Sequence, residues 1–334
     1  MTRYVIRRLL WACVLFIAVT MVTYIIFFIV PANPALELCG KACTEEDIQR
    51  VERYWGLDQP VPVQYGKFVE RMLPITWSSA EGHPIFQTPS LGRSFATRRE
   101  VSQVVLDAAP VTASLVFGGA ILWMLIALPL GILSALRPRS FLDRTSMVFV
   151  LIGISAHPVW IGYIFLFFFG FKLGWFPIGT YCDFINPSTT CGGPVQWFWH
   201  MILPWATFAL LFAATYTRMT RATVMETMNE DYVRTARAKG APERTVMRSH
   251  ILRNAMLPVV TMLGMDIGLA LGGAVFTETV YALPGLGRTA ISALETFDLP
   301  TLMGVVVFAT ICIIVFNLIV DLLYAVIDPR IRLA

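Results

Sequence analysis

Long apolar blocks alternate with shorter polar segments along the whole chain. Six blocks are long enough to cross a bilayer, which requires about 20 apolar residues per helix. The predicted spans are Leu9–Val30, Pro110–Leu136, Thr145–Gly170, His200–Thr220, Leu257–Leu283 and Leu302–Ile327. The first block is too long for the apolar part of a signal peptide, and no small-residue cleavage site follows it. The pattern therefore predicts an all-α membrane protein with six transmembrane helices.

The longest polar segment, residues 31–109, predicts a subdomain between the first and second spans. Residues 43–60 have acidic residues near their start and a glycine and a proline near their end, which is typical of a helix. Residues 64–73 have the i, i+3/i+4 apolar spacing of a second short helix. Residues 75–95 are punctuated by Pro, Gly and Ser and predict a loop. Residues 99–110 predict a helix that lies along the membrane before the second span.

The composition excludes a soluble protein. Of the 334 residues, 56% are hydrophobic and 14% are charged, whereas a soluble fold carries roughly 25% charged residues. The net charge of +4 is modest, and the chain lacks the lysine runs and interleaved aromatic residues of nucleic-acid binders. No nucleic acid is therefore expected as a partner.

The distribution of Arg and Lys predicts the orientation, because short cytoplasmic loops retain positive charge. Basic residues concentrate at the N-terminus, at residues 137–144, at residues 221–256 and in the C-terminal tail, whereas acidic residues concentrate in residues 31–109. Both termini are therefore predicted to be cytoplasmic and the long segment external. The predicted domains are residues 1–30 with the first span, the external subdomain 31–109, the core 110–327 with the cytoplasmic segment 221–256, and the tail 328–334.

A basic polar segment, Asp231–Pro258, lies between the fourth and fifth predicted spans. Good helix formers precede Gly240, which can adopt the left-handed conformation that ends a helix. Pro242 at the first helical position and Glu243 in the first turn predict that a second helix follows. Two short cytoplasmic helices that meet at a stiff corner, each tied to a span, can transmit force. Alternatively, the segment is a juxtamembrane loop that only touches anionic lipid.

Two acidic residues, Asp266 and Asp321, fall within predicted spans, where a charge is expensive and indicates a functional site by default. Asp321 lies near the cytoplasmic end of the last span and is interpreted as structural. Asp266 lies about 200° around the helix from Gly264, which with Gly268 and Gly272 forms a stripe typical of close helix packing. Two roles remain open for Asp266: contact with a cationic group in a translocation path, or a salt bridge to a neighbouring helix.

The sequence lacks the motifs of nucleotide binding and catalysis. It contains no G-x-x-x-x-G-K-[ST] loop, so ATP-driven transport would need a separate ATPase. It contains no H-E-x-x-H or G-x-S-x-G motif, and its 4 His residues are scattered, so no metal site is expected. His157 lies within the third predicted span, where it is interpreted as a packing residue, with contact to a substrate in the path as the alternative. The chain is therefore not expected to be an enzyme.

The predicted topology sorts the 6 cysteines into two groups. Cys13 and Cys312 lie within spans, where a thiol behaves as a small apolar group. The other four lie in external loops, where disulfides persist. Because closing a short loop costs the least entropy, the predicted pairs are Cys39–Cys43 and Cys182–Cys191. Four free thiols are the alternative, and a metal clip is disfavoured because no His lies at ligand spacing.

The segment YVRTARAKG, residues 232–240, resembles the cytoplasmic EAA loop of type I ABC importer permeases. Arg replaces the usual Glu, a form typical of the first permease subunit in the dipeptide/oligopeptide/nickel group. Other landmarks similar to those of that group follow in order along nearly the whole chain. They are WGLDQPVPVQYGKFV at 55–69, LGRSF at 91–95, HPVWIGY at 157–163, FTETVYALPGLGR at 276–288 and DLLYAVIDPRIR at 321–332.

The resemblance implies a permease subunit in the bacterial cytoplasmic (inner) membrane that forms half of a path for short peptides or, less often, a nickel chelate or another small solute. The implied partners are a second homologous permease, two ATPase subunits that hold ATP and Mg, an external solute-binding protein and membrane lipid. No cofactor is expected in this chain itself. The implied ATPase-coupling residues are Arg234, Thr235, Ala236, Lys239, Gly240, Ala241, Pro242, Glu243 and Arg244.

The alternative function is a secondary transporter driven by an ion gradient, with Asp266 and Asp321 as ion sites. The absence of an inverted repeat and the small number of intramembrane acids disfavour it. An intramembrane enzyme is disfavoured because no nucleophile–base pair or metal constellation is present.

Overall fold

A computed structural model describes residues 2–29, 44–46, 48–49, 53, 59–72, 75–77, 84–86, 90–94, 96–184 and 191–327. The described residues are mostly helical. The helices are α1 (Thr2–Tyr24), α2 (Val61–Met72), α3 (Val101–Leu136), α4 (Phe141–Ser155), α5 (Pro158–Phe165), α6 (Pro194–Met228), α7 (Asp231–Ala238), α8 (Glu243–Ala270), α9 (Val275–Val280), α10 (Leu286–Glu295) and α11 (Leu299–Ile327). Wider π-helical turns extend α1 over Ile25–Ile29 and α5 over Leu166–Lys172, and form Val246–Leu252 within α8. The strands are β1 (Ile75–Trp77) and β2 (Pro84–Phe86).

Five helices in the described part of the chain are each long and apolar enough to cross a membrane: α1, α3, α6, α8 and α11. Helices α4 and α5 pass the same test together but are bent by 106° at the break between them. Counted as one broken span, this pair makes up to six, which agrees with the predicted all-α membrane fold. The predicted first, fourth and sixth spans fall on α1, α6 and α11, each of which begins earlier than predicted.

Helix α3 runs without interruption through Pro110. The predicted membrane-surface helix at residues 99–110 is therefore wrong as a separate element, because it is the first part of the second span. Pro110 removes one backbone hydrogen bond from the helix. Packing stabilises the first turns of α3 in place of that hydrogen bond. Val101 and Val105 are 0% and 3% exposed and pack against apolar residues of α10 and α11.

The third predicted span, Thr145–Gly170, is wrong as one straight helix. Helix α4 ends at Ser155 and α5 begins at Pro158. His157 between them is extended, with φ −80° and ψ 137°, because a proline ring disfavours the helical conformation of the residue before it. Its Nδ1 accepts a hydrogen bond from the Val159 backbone N–H at 3.3 Å and so caps α5.

Helix α8 joins two elements that the sequence predicts as separate. It begins at Glu243 and continues through Pro258 to Ala270, so the second short cytoplasmic helix and the fifth span are one helix. The predicted span Leu257–Leu283 is wrong at both ends. The helix stops before Gly273, whose φ of +135° is open to glycine, and the short helix α9 follows.

Helix α2, in the segment predicted to be external, agrees with the helix predicted at residues 64–73 and packs on the ends of α1 and α11. Tyr24 donates a hydrogen bond to Gln64 Oε1 at 3.1 Å, and the hydroxyls of Thr20 and Tyr65 are 2.9 Å apart. The external helix is therefore fixed to the membrane core and not merely tethered to it.

Residues 75–95, predicted as a loop, contain the antiparallel strands β1 and β2, with Ile75 opposite Phe86. After this hairpin, the Ser94 hydroxyl donates to Asp298 at the start of α11, at 2.5 Å. The helix predicted at residues 43–60 lies largely outside the described residues.

The core of the membrane part lies between α3 and α6. Trp123 of α3 is fully buried and stacks on Phe212 of α6 with ring centroids 4.6 Å apart. Gly118 admits the ring of Trp205, since an added Cβ there would lie 2.1 Å from that ring. Small residues of this kind let helices approach closely in a membrane. Helices α4, α8 and α11 pack against this pair, and α1 packs against α11.

Candidate functional site

A corner at residues 239–242, on the side predicted to be cytoplasmic and named the cytoplasmic corner for that reason, turns the chain from α7 into α8. Gly240 has φ +78°, as the sequence predicts, and no atom lies within 4 Å of an added Cβ. The backbone conformation, and not crowding, therefore calls for glycine here. Pro242 is the N-cap of α8 and not its first helical residue, a difference of one position from the prediction.

An apolar cluster beneath this corner joins it to the membrane core. Its buried members come from the ends of α3 and α6, from α7 and from the first turns of α8: Ala135, Val224, Val233, Ala236, Val246, Ile251 and Ala255. A hydrogen bond of 2.7 Å from Asn254 to the Tyr232 hydroxyl adds a polar link between α7 and α8. A displacement of the corner must therefore move the ends of α3 and α6 with it.

The outer surface of the corner is polar and mostly exposed. Among the predicted coupling residues, Ala236 is buried and Ala241 is partly buried, while the rest are exposed: Arg234, Thr235, Lys239, Gly240, Pro242, Glu243 and Arg244. Arg234 lies 3.7 Å from Asp231 in the same helix. The surface therefore presents basic side chains around a rigid backbone turn.

An ion pair bridges the corner. Arg237 of α7 donates to Glu243 of α8 at 2.7 Å and 3.2 Å. Hydrogen bonding to Glu243 raises the pKa of the Arg237 guanidinium, so the guanidinium stays charged. Because each residue belongs to a different helix, the pair links α7 to α8 across the turn.

The two predicted path residues, Asp266 and His157, have different surroundings. Asp266 of α8 accepts a hydrogen bond from the Tyr216 hydroxyl of α6 at 2.7 Å. His157 is exposed at the α4–α5 break, and its ring meets Phe276 edge-on with centroids 5.1 Å apart. The side chain that contacts Asp266, Tyr216, is not the one that contacts His157, Phe276. A salt bridge of Asp266 to a described residue, one of the two predicted roles, does not form.

The glycine stripe at the end of α8 and in the turn after it packs against α11, as the spacing predicts. An added Cβ at Gly264 would meet Val320, and one at Gly272 would meet Ala309. Asp266 therefore faces away from this contact.

Two other carboxylates on the crossing helices have arginine partners. Asp321 of α11 lies 2.8 Å from Arg8 of α1, which agrees with the structural role predicted for it. Asp143 of α4 lies 2.7 Å from Arg221 of α6 and also accepts a hydrogen bond from Ser134 of α3. These pairs connect neighbouring helices near the ends predicted to be cytoplasmic.

Glu278 of α9 is a buried carboxylate that the sequence analysis missed, although it lies in the quoted segment 276–288. It is 0% exposed and accepts hydrogen bonds from the Thr112 hydroxyl at 2.7 Å, the Arg288 N–H at 3.0 Å and the Ala274 N–H at 3.3 Å. The same Thr112 hydroxyl accepts from the Leu286 N–H at 2.8 Å. Glu278 thus holds α3, α9 and the start of α10 together.

The cysteine predictions have separate outcomes. The Cys182–Cys191 disulfide is confirmed, and the pair Cys39–Cys43 lies outside the described residues. Cys13 and Cys312 are free thiols.

A histidine lies closer to the disulfide than the sequence spacing suggests. His200 Nδ1 is 3.3 Å from Cys182 Sγ, so the absence of a His at ligand spacing in the sequence does not keep a His away from the cysteines in the fold. With the disulfide formed, both sulfurs are bonded to each other and neither is a thiolate that could bind a metal.

Comparison with known proteins links these features to a transport family. Residues 127–333 match the family described as binding-protein-dependent transport system inner membrane component, and residues 1–116 match the N-terminal model of the same kind of protein. The chain is 32% identical over 332 residues to a putative peptide transport system permease protein of Brucella abortus, with 99% of each chain covered. It is 37% identical over 337 residues to a putative peptide permease protein of Brucella suis, with 99% of each covered. It is 33% identical over 347 residues to the dipeptide transport system permease protein DppB of Alkalihalophilus pseudofirmus, with 99% of this chain and 100% of the relative covered.

Proposed function

The chain belongs to the family of binding-protein-dependent transport system inner membrane components, and from this membership we propose that it forms half of the path of an ATP-driven importer for short peptides. The family consists of transporter permeases of the inner membrane, so the alternative of an ion-gradient-driven transporter is wrong. The peptide permeases among its relatives, at 32% and 37% identity, support a peptide substrate. The observation that carries the proposal is the cytoplasmic corner, which is exposed on its outer surface and joined to α3 and α6 beneath it.

In this proposal a separate ATPase subunit, which binds ATP and Mg, docks on the outer surface of the corner. Helix α8 supports this role because it is continuous from Glu243 to Ala270. A push on its cytoplasmic end therefore acts on the same helix that crosses the membrane. The buried cluster carries the same displacement into α3 and α6. The docking residues are the exposed side chains around Gly240, with Lys239 and Arg244 on either side.

Two further partners complete the proposed importer. A second, homologous permease supplies the other half of the path. An external solute-binding protein docks on the external subdomain. Helix α2 suits that role because it is fixed to α1 and α11, so a force applied there reaches the membrane core.

Purification of the tagged full-length chain from its own cells tests the assembly. We expect two ATPase subunits and a second permease to co-purify, identified by mass spectrometry. The complex in lipid vesicles, with the binding protein added outside, should import radiolabelled di- to pentapeptides only when ATP is supplied inside. A chain that purifies alone, or peptide uptake that follows an ion gradient without ATP, would contradict the proposal.

A further inference from the structure

The carboxylate of Asp266 lacks a cationic partner among the described residues, unlike two other acids on crossing helices. Asp143 and Asp321 each form an ion pair with an arginine at 2.7 Å and 2.8 Å. Asp266 accepts one hydrogen bond, from the Tyr216 hydroxyl. A carboxylate has about four acceptor positions, so most of this capacity remains available.

A charge in this position must be compensated by something other than the described side chains. A carboxylate exposed to hydrocarbon is among the costliest arrangements in a membrane, and intramembrane acids as a rule face a bundle interior or a water-filled cavity. Asp266 is partly exposed in the isolated chain. The face on which it lies is therefore expected to border water or a ligand and not lipid.

The neighbours of Asp266 indicate which side of α8 carries its carboxylate. The glycine stripe occupies the side toward α11, and Tyr216 marks the side toward α6. On the remaining side, Met265 and Leu269 are 55% and 67% exposed. Asp266 thus lies at the border between the packed side of α8 and an open apolar side.

We propose that Asp266, oriented by Tyr216, receives the protonated amino group of a peptide during its passage through the membrane. This inference rests on the proposed peptide importer. Every short peptide with a free N-terminus carries this ammonium group whatever its side chains are, so one carboxylate recognises the whole class. Met265 and Leu269 provide adaptable apolar surface beside it, which suits side chains that vary in shape.

The Tyr216 hydroxyl has a positioning role in this site. Tyr216 is 0% exposed, so its ring is fixed in the core and its hydroxyl holds Oδ2 of the carboxylate in one place. The other oxygen, Oδ1, remains available to accept from an ammonium group. Removal of the hydroxyl should weaken this selectivity without abolishing it.

The test compares a dipeptide that has a free N-terminus with its N-acetylated analogue, in the complete complex in vesicles. The measured quantity is the ratio of the ATP-driven uptake rates of the free and the acetylated peptide. Each peptide is loaded on the external binding protein to the same occupancy, so that a preference of the binding protein does not change this ratio. We expect the wild type to prefer the free peptide roughly tenfold or more, as for loss of a charge-assisted hydrogen bond. Asp266→Asn should bring the ratio close to one by slowing the free peptide alone, and Tyr216→Phe should lower the ratio in part.

Asp321→Asn is the matched control, because it neutralises a carboxylate that already has an arginine partner, and it should leave the ratio at the wild-type value. The same ratio in the wild type and in Asp266→Asn would overturn the inference. An equal loss for both peptides in Asp266→Asn, with normal co-purification of the partners, would overturn it in favour of a structural role. Absence of ATP-driven uptake of either peptide by the wild type would instead contradict the proposed function.

Discussion

The two ends of α8 both turn at a glycine, but for different physical reasons. At the cytoplasmic corner, Gly240 has φ +78° and nothing within 4 Å of an added Cβ. The outer corner, residues 271–288, contains Gly273 with φ +135°, where an added Cβ would lie 2.7 Å from Gly287 Cα. The first glycine is required by backbone conformation alone, and the second by conformation and by space.

This difference separates a surface left open for a partner from a turn that the chain closes itself. The outer corner folds back on α3 and is filled by the buried carboxylate of Glu278. The cytoplasmic corner keeps a polar outer surface and is held from below by apolar packing. Substitutions in the outer corner should therefore damage the fold, whereas those in the cytoplasmic corner should damage communication with a partner.

The largest effect is expected from Gly285→Ala in the outer corner. Gly285 has an extended backbone, with φ −96° and ψ −178°, that alanine also adopts, so only space opposes the change. The added methyl would lie 2.5 Å from the Glu278 carboxylate, and overpacking of this kind destabilises by about 1–3 kcal/mol. The apparent thermal unfolding midpoint of the purified complex should fall. The control is Gly66→Ala in α2, where nothing lies within 4 Å, and a similar fall there would contradict the explanation.

A somewhat smaller effect is expected from Glu278→Gln. The carboxylate accepts from three donors, and the amide would turn an NH2 group toward at least one of them. A buried group left unsatisfied costs about 1–3 kcal/mol, so the unfolding midpoint should fall again. Thr112→Ser keeps the hydroxyl that bridges Glu278 and Leu286 and should retain most of the stability. Unchanged unfolding in Glu278→Gln would show that these hydrogen bonds contribute little.

The cytoplasmic corner was predictable from sequence because its signals are local. A glycine after a run of helix formers, with a proline two residues later, specifies the turn without knowledge of the rest of the fold. The outer corner depends on contacts between residues far apart in sequence, such as Thr112 with Glu278. No spacing rule predicts that this carboxylate will accept from a hydroxyl of α3 and from a backbone N–H of α10.

The errors in the predicted spans have the same origin. Hydropathy registers apolar residues and is blind to the break at His157–Pro158 and to the end of α8 before Gly273. Pro110, by contrast, predicts a boundary but lies inside α3, because burial of Val101 and Val105 compensates for the lost hydrogen bond. Whether a proline bends a helix thus depends on its packing, which the sequence alone does not give.

In the cytoplasmic corner, Gly240→Val should impair coupling more than stability. A β-branched side chain in the left-handed region is strained by about 1–2 kcal/mol, which the chain can relieve by re-aiming α7 relative to α8. The complex should assemble and bind peptide, but peptide-stimulated ATP hydrolysis should fall several-fold. Gly240→Asn is the matched control, because asparagine tolerates the left-handed conformation, and it should keep most of the stimulation. Normal stimulation in Gly240→Val would contradict the role assigned to the turn.

The smallest effect is expected from the ion pair between Arg237 and Glu243. Both side chains are exposed to solvent, at 37% and 63%, and exposed ion pairs contribute little because water and salt screen them. Arg237→Gln should therefore reduce peptide-stimulated ATP hydrolysis by at most a few-fold, and the difference from the wild type should shrink at high salt. The double exchange Arg237→Glu with Glu243→Arg restores a pair of opposite charges between the same two helices. If the pair only holds the angle, the exchange should recover the lost stimulation. If Arg237 instead contacts the ATPase directly, the exchange should reduce peptide-stimulated ATP hydrolysis more than Arg237→Gln does. Gly240 and the buried cluster alone would then set the angle of the corner.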